Sequence, residues 1–203
     1  MAALYPALAG GREAAQALTM WSEWTGAVLF TLATYLWWLE GINDSDYIGL
    51  EPGDRPPKPF RWIAWQPRQL GFVAPLLFLI GSLIWNLETS LALGHWLGWL
   101  AERPLWTAVS STAGAVLFLV PSYLQVIEVC HKSLCWQPRE IAWWVTVLFG
   151  FGCVAFLIGA VVEFDVFGLT RAWVTQMASG GYLAGSLLFL VGSYLMLPEI
   201  TAE

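Results

Sequence analysis

Residues 65–90 read WQPRQLGFVAPLLFLIGSLIWNLETS. After Arg68 no charged side chain follows until Glu88, and the uncharged run between them is dominated by Leu, Ile, Phe, Val and Gly. A run of that length crosses a hydrocarbon core of about 30 Å as a helix. In lipid a spanning backbone must satisfy its own hydrogen bonds, so the run is expected to be α-helical. The lead-in tetrapeptide returns at Trp136-Gln137-Pro138-Arg139, 71 residues on, again ahead of a long apolar stretch.

Outward from this stretch, five apolar runs are legible: roughly 20–39, 69–90, 106–128, 141–163 and 176–197. The chain of 203 residues is 58% hydrophobic and 12% charged, where a soluble domain carries about a quarter charged residues. The expected fold is all-α: a polytopic helical membrane protein with five transmembrane helices. The net charge of −6 argues against nucleic-acid binding.

Shifting the sequence by 71 residues aligns it with itself. AGAVLFLVPSYLQVIE (113–128) falls on AGSLLFLVGSYLMLPE (184–199), Leu77-Phe78 on Leu148-Phe149, and Gly81 on Gly152. GAVLFTLATYLWWLE (26–40) matches GAVLFLVPSYLQVIE (114–128), so the first run is a second-type helix without its first-type partner. The expected organisation is a segment 1–64 with the first helix and a long acidic, Pro-rich loop, then two hairpin repeats, 65–135 and 136–203. Both hairpins start on the same face, so they are parallel repeats rather than the inverted kind found in many alternating-access transporters. The odd first helix is expected to fold on the hairpins or to be covered by a second copy or another subunit.

Five spans put the two termini on opposite faces. The face holding the 41–68 and 129–140 loops, called the near face below, carries Arg55, Lys58, Arg61, Arg68, Lys132 and Arg139; the far face carries Arg12, Arg103 and Arg171. Basic residues concentrate in cytoplasmic loops, so the near face and C-terminus are expected to be cytoplasmic and the N-terminus outside or lumenal. Residues 1–19 lack the basic leader and apolar core of a cleaved signal, which makes the first span the expected insertion anchor. In that orientation Cys130 and Cys135 face a reducing compartment and are expected to be free thiols.

Each WQPR has the chemistry of a depth-setting helix start. Trp suits the membrane interface, Pro suits the first helical turn, and Arg snorkels to the headgroups. The second-type helices close on Glu40, Glu128 and Glu199, which share the near face with Arg68 and Arg139. Ion pairs among these five residues would tie hairpins together; a ring of carboxylates handling protons or cations is the alternative. Ser22 and Gly26, Ser110 and Gly114, and Gly181 and Gly185 repeat the small-xxx-small spacing of close helix packing.

Signals for other chemistry are sparse. CHKSLC (130–135) offers two thiols and His131, yet a zinc site wants four ligands, so a solvated histidine is the plainer reading. His95 lies on the opposite face, which separates the two histidines for haem ligation. Asn86 is expected to bond between helices, and Glu88 and Glu163 to be solvated helix ends, with Gln125 the other notable polar group. Nucleotide loops, metalloprotease helices and serine nucleophile motifs do not occur in the sequence. No catalytic residue, metal or cofactor is therefore assigned. The 41–64 loop, acidic then Pro-rich and basic with Phe60, Trp62 and Trp65, is the best-placed segment for docking a protein partner.

LFLIGSLIWNLE (77–88), a loop, then GAVLFLVPSYLQVIE (114–128) resembles the YrhK-like membrane domain, a two-helix unit with a Phe-Leu-Ile-Gly-Ser motif. FLIGA (156–160) and GSLLFLVGSYLMLPE (185–199) look like a second copy. Pro121 departs from the second-helix glycine. Two registers are open for the fourth helix, because the repeat puts FGFGC (149–153) where the motif would put FLIGA. The resemblance implies a helical membrane fold and brings no activity with it. The expected role is that of a non-enzymatic scaffold or accessory subunit; the alternative is a small-solute, proton or ion transporter or channel using the border glutamates.

Overall fold

The computed structural model describes residues 4–44, 59–101, 104–164, 168 and 170–201. These form α1 Leu4–Asp44, α2 Leu70–Trp96, α3 Pro104–Cys130, α4 Ile141–Val162 and α5 Arg171–Thr201. Four of them, α2 to α5, are long and apolar enough to cross a membrane. The centre of α1 mixes Thr25, Thr31, Thr34, Tyr35 and Trp37 among its aliphatic residues, which lowers its hydropathy and leaves it outside that set.

Each helix packs on the next in sequence, α1 on α2 through to α4 on α5. The α1–α2 pair is antiparallel along most of the length of α2. Trp24 donates its indole N–H to Ser90 Oγ at 3.1 Å near one end, and Thr34 and Ser82 share a hydroxyl hydrogen bond of 3.2 Å further along. At the other end a Cβ on Gly41 would strike the Gly71 carbonyl oxygen. That carbonyl lacks its helical partner because Pro75, four residues on, has no N–H. Asn86 donates to the Ala27 carbonyl at 3.1 Å and to Thr31 Oγ1, and so bridges α1 and α2 as its chemistry predicts. The first helix thus has its partner within the chain.

The two WQPR segments start their helices alike. Gln69 N–H donates to the Gln66 carbonyl at 3.1 Å, and Glu140 N–H to the Gln137 carbonyl at 3.0 Å. The flanking residues share one extended conformation, Gln69 at φ −104°, ψ 127° and Glu140 at φ −96°, ψ 127°. Pro67 and Pro138 sit in the turn before the helix, not in its first helical turn as the sequence suggested. Their fixed φ suits the second position of a β-turn, and the helix begins only after that turn is complete. At the far end of α2, Gly98 at φ +74° supplies the left-handed residue that lets the chain leave the helix.

An aromatic hub occupies the middle of the bundle, and every helix contributes to it: Phe30, Phe78, Trp85, Phe118, Phe149, Phe156, Tyr182 and Phe189. Phe30 lies 5.4 Å from Phe118 and 5.6 Å from Phe189, so the matched phenylalanines of α1, α3 and α5 meet. Phe78–Phe118 at 5.6 Å and Phe149–Phe189 at 4.7 Å are equivalent contacts, the second offset from the first by 71 residues. Glycines make room for these rings. A Cβ on Gly81 would come within 2.8 Å of the Phe118 ring, and one on Gly152 within 2.7 Å of the Phe189 ring. In α4 it is therefore Gly152 of FGFGC that does what Gly81 does in α2. Gly159 of FLIGA packs instead on Ala178 and Tyr182.

The small-residue pairs divide. Gly114 approaches the Gly81 carbonyl, Gly185 the Phe156 ring and the Gly152 carbonyl, and Gly181 the α4 backbone. Ser22 and Gly26 are exposed on α1, with open space around Gly26, so this pair is not part of the seam expected of it. α1 meets α2 through another face, centred on Ala27, Thr31, Thr34 and Gly41. Gly181→Val should therefore wedge α4 from α5, where a Cβ already falls 2.7 Å from the Ala155 carbonyl oxygen. The expected loss is about 1–3 kcal/mol, the usual cost of overpacking. It should be read as a lower melting midpoint in detergent, with Gly26→Ala leaving that midpoint unchanged or raised.

Candidate functional site

Two cavities open at opposite ends of the bundle, with the aromatic hub between them. The near-face cavity lies where α3 ends and α4 begins, and Glu128, His131, Trp136, Arg139 and Glu140 line it. Arg68 and Arg139 are both exposed, as matched positions should be. Among the described residues no ion pair joins either arginine to Glu128, which is also exposed. Glu40 is exposed and engaged in an interaction, and the Glu199 side chain lies outside the described residues. Most of the 41–64 loop, residues 45–58, lies outside them too.

The near-face loop corrects one expectation. Cys130 and Cys135 are joined in a disulfide with their Cα atoms 5.4 Å apart, within ordinary bridging distance. Neither is then a thiolate, so CHKSLC cannot offer a metal the two sulfur ligands its spelling suggests. The free-thiol expectation came from the charge count of the loops, not from the spacing of the two residues. The tip is fastened further by indole N–H donors of α4. Trp143 donates to the Cys135 carbonyl at 3.1 Å and Trp144 to the Pro138 carbonyl at 3.0 Å. Trp136 is 77% exposed and rests edge-on against Trp143 at 5.0 Å; Trp65, 76% exposed, stands likewise 5.6 Å from Phe72. Both rings are placed as interface tryptophans are.

The far-face cavity, about 890 Å³, has walls of Leu87, Leu91, Trp96 and Trp106, with His95 and Glu163 as its ionisable groups. Glu163 stands one residue beyond α4. Tyr182 of α5 donates its hydroxyl to Glu163 Oε1 at 2.8 Å, and Ser111 of α3 shares a 2.7 Å hydrogen bond with the same hydroxyl. Glu23 of α1 and Glu88 of α2 come close enough for their carboxylates and that of Glu163 to repel one another. Ser111 of α3, Tyr182 of α5 and Glu163 at the end of α4 thus form one hydrogen-bonded group, with Glu23 of α1 and Glu88 of α2 as further acidic residues at the same border. Burial lifts the Glu163 carboxyl above the ordinary carboxyl range, and the hydrogen bonds from Tyr182 and Ser111 pull the other way.

This cluster is only half legible in sequence. Glu88 and Glu163 stand out as carboxylates at apolar run ends but read as solvated termini. Glu23 and Tyr182 give no signal by themselves. The usable clue is that Ser111 and Tyr182 are 71 residues apart, hence matched positions facing each other across the repeat. Gln125 is buried, with its Oε1 lacking a hydrogen-bond partner among the described residues.

Comparison with protein-family models, with curated proteins and with solved structures finds no match to this chain.

Because folding holds Glu163 in the protonated form more strongly than the unfolded chain does, the unfolded state ionises first as pH rises. Stability should fall from about pH 4 upward and level off above the raised folded value. Glu163→Gln should flatten this slope in thermal melts across pH 4 to 9, values chosen to bracket about the ordinary and raised carboxyl ranges. An unchanged slope would show that Glu163 contributes nothing to it.

Proposed function

We propose that the chain is a five-span, non-enzymatic integral membrane protein built from two parallel hairpins plus one extra N-terminal helix, and that it acts as a scaffold or accessory subunit. The observation that carries this reading is the aromatic hub. Rings from all five helices fill the middle of the bundle, where a transporter would need a polar path. Polar groups in the spans are used between helices, as with Asn86 on α1, and serve cohesion.

The antiparallel course of α1 beside α2 supports the fifth span, since a helix paired from Trp24–Ser90 to Gly41–Gly71 shares the depth of its neighbour. Exposed Val28, Leu29, Leu32 and Leu36 give α1 an apolar face toward lipid. The matched turns, helix starts and Gly–Phe contacts 71 residues apart support duplication. The YrhK-like reading belongs to the same proposal: the glycine of its Phe-Leu-Ile-Gly-Ser motif is Gly81, the one that receives Phe118.

Orientation sets two arguments against each other. Six basic residues against three favour a cytoplasmic near face with the N-terminus outside or lumenal. The Cys130–Cys135 disulfide favours an oxidising near face and a cytoplasmic N-terminus. We favour the second arrangement, because the charge bias is modest while a persistent surface disulfide requires the oxidising side. A second functional reading, proton or cation transport, draws on the far-face carboxylates Glu23, Glu88 and Glu163 rather than on Glu40, Glu128 and Glu199.

Proteoliposomes loaded with a pH-sensitive dye should show no proton or alkali-cation flux above empty vesicles. A flux abolished by Glu88→Gln or Glu163→Gln would sink the scaffold reading. In a background lacking the native cysteines, Gly11→Cys should react with a membrane-impermeant maleimide from the same side as Gly98→Cys and from the side opposite Ser133→Cys. Labelling of Gly11→Cys alongside Ser133→Cys would reduce the spans to four. In intact cells, native Cys130 and Cys135 should resist alkylation until a reductant is added.

A further inference from the structure

The near-face cavity, about 790 Å³, collects charges of both signs. Arg139 supplies the cationic side, with the His131 imidazole as a further donor, and Glu128 and Glu140 the anionic side. Among the described residues no ion pair joins Arg139 to either carboxylate, and Glu140, the N-cap residue of α4, makes no capping hydrogen bond with its side chain. The fifth wall is the Trp136 indole, exposed at the membrane border.

The cavity is built in advance. The Cys130–Cys135 disulfide closes the loop bearing His131, and hydrogen bonds from Trp143 and Trp144 fasten the backbone at Cys135 and Pro138. The backbone that carries the lining side chains is thus held in place, which lowers one of the costs of binding.

We propose that this cavity holds the headgroup of a zwitterionic phospholipid. Guanidinium groups bind phosphate through parallel hydrogen bonds, the role open to Arg139 with His131 beside it. A quaternary ammonium is held by carboxylates and by the face of an indole, the roles open to Glu128, Glu140 and Trp136. An anionic headgroup without an amine would meet two unanswered carboxylates, and a bare cation would meet Arg139. The same chemistry in a soluble zwitterion would leave idle the exposed apolar side chains of Leu134, Ile141 and Trp144, which neighbour the lining residues in sequence and suit acyl chains. This goes beyond the scaffold role and depends on the near border alone.

The test uses the full chain purified in an uncharged detergent and analysed by native mass spectrometry. Dioleoylphosphatidylcholine, dioleoylphosphatidylglycerol and chain-free glycerophosphocholine are added at equal concentration. Phosphatidylcholine should be retained over phosphatidylglycerol on the order of tenfold, about the worth of one charge-assisted hydrogen bond. Arg139→Gln should lower retention of both lipids, and Glu140→Gln should bring phosphatidylcholine down to the phosphatidylglycerol level. Both residues are exposed, and a circular dichroism melt without added lipid checks that the variants fold. Equal retention of the two lipids, or retention unmoved in both variants, would overturn the proposal. Glycerophosphocholine bound as tightly as phosphatidylcholine would overturn its lipid source.

Discussion

Where Gly81 and Gly152 lack side chains, the rings of Phe118 and Phe189 lie, and the rest of the bundle is arranged around that exchange of volume. Lipid chains are as apolar as leucine, so burying apolar surface gives little drive for helices to associate. Cohesion must come from close contact, and a glycine facing a ring gives more of it than two medium side chains could. The ring gains dispersion contacts with a bare backbone, while aromatic pairs add about 0.5–1.5 kcal/mol each beyond area. Phe30 of α1 joins Phe118 and Phe189 at the same depth, which makes the extra helix part of the core rather than an appendage.

Much of this was legible in the sequence because membrane constraints are severe. Apolar length alone located α2 to α5, and the gap-free shift of 71 residues set Gly81 and Gly152 as equivalent positions, though not the rings that fill them. In α4 it is Gly152, not Gly159 of FLIGA, that receives a phenylalanine ring, that of Phe189. Legibility failed where a residue's role depends on which face of a helix it occupies. Ser22 and Gly26 have the spacing of their counterparts, yet the face of α1 that meets α2 is set by Thr31, Thr34 and Gly41. A spacing rule reports that backbones can approach, not that they do. The far-face cluster escaped for a related reason: it draws one residue from each helix, and no stretch of sequence contains it.

The disulfide and the basic-residue count disagree because they report on different things. The count describes a preference during insertion and is summed over loops, with four of the six near-face residues in the 41–68 segment. The disulfide describes the chemistry of one compartment at one place. Two cysteines five residues apart with the backbone already turned at His131, φ 52°, need little further ordering to join. Their bond therefore costs the fold little, and its persistence is decided by the redox poise around it.

An aromatic middle lies between a cavity at the near border and another at the far border. The near cavity stands beside a disulfide and two indole hydrogen bonds to the backbone and holds charges of both signs. The far cavity has largely apolar walls and takes in Glu163, which Tyr182 hydrogen-bonds. A change at either end could reach the other only by moving whole helices past the aromatic hub. The Gly–Phe contacts leave no slack for that, since the rings already occupy the space a methyl group would need. A middle packed this tightly favours helices that keep one arrangement over helices that slide past each other.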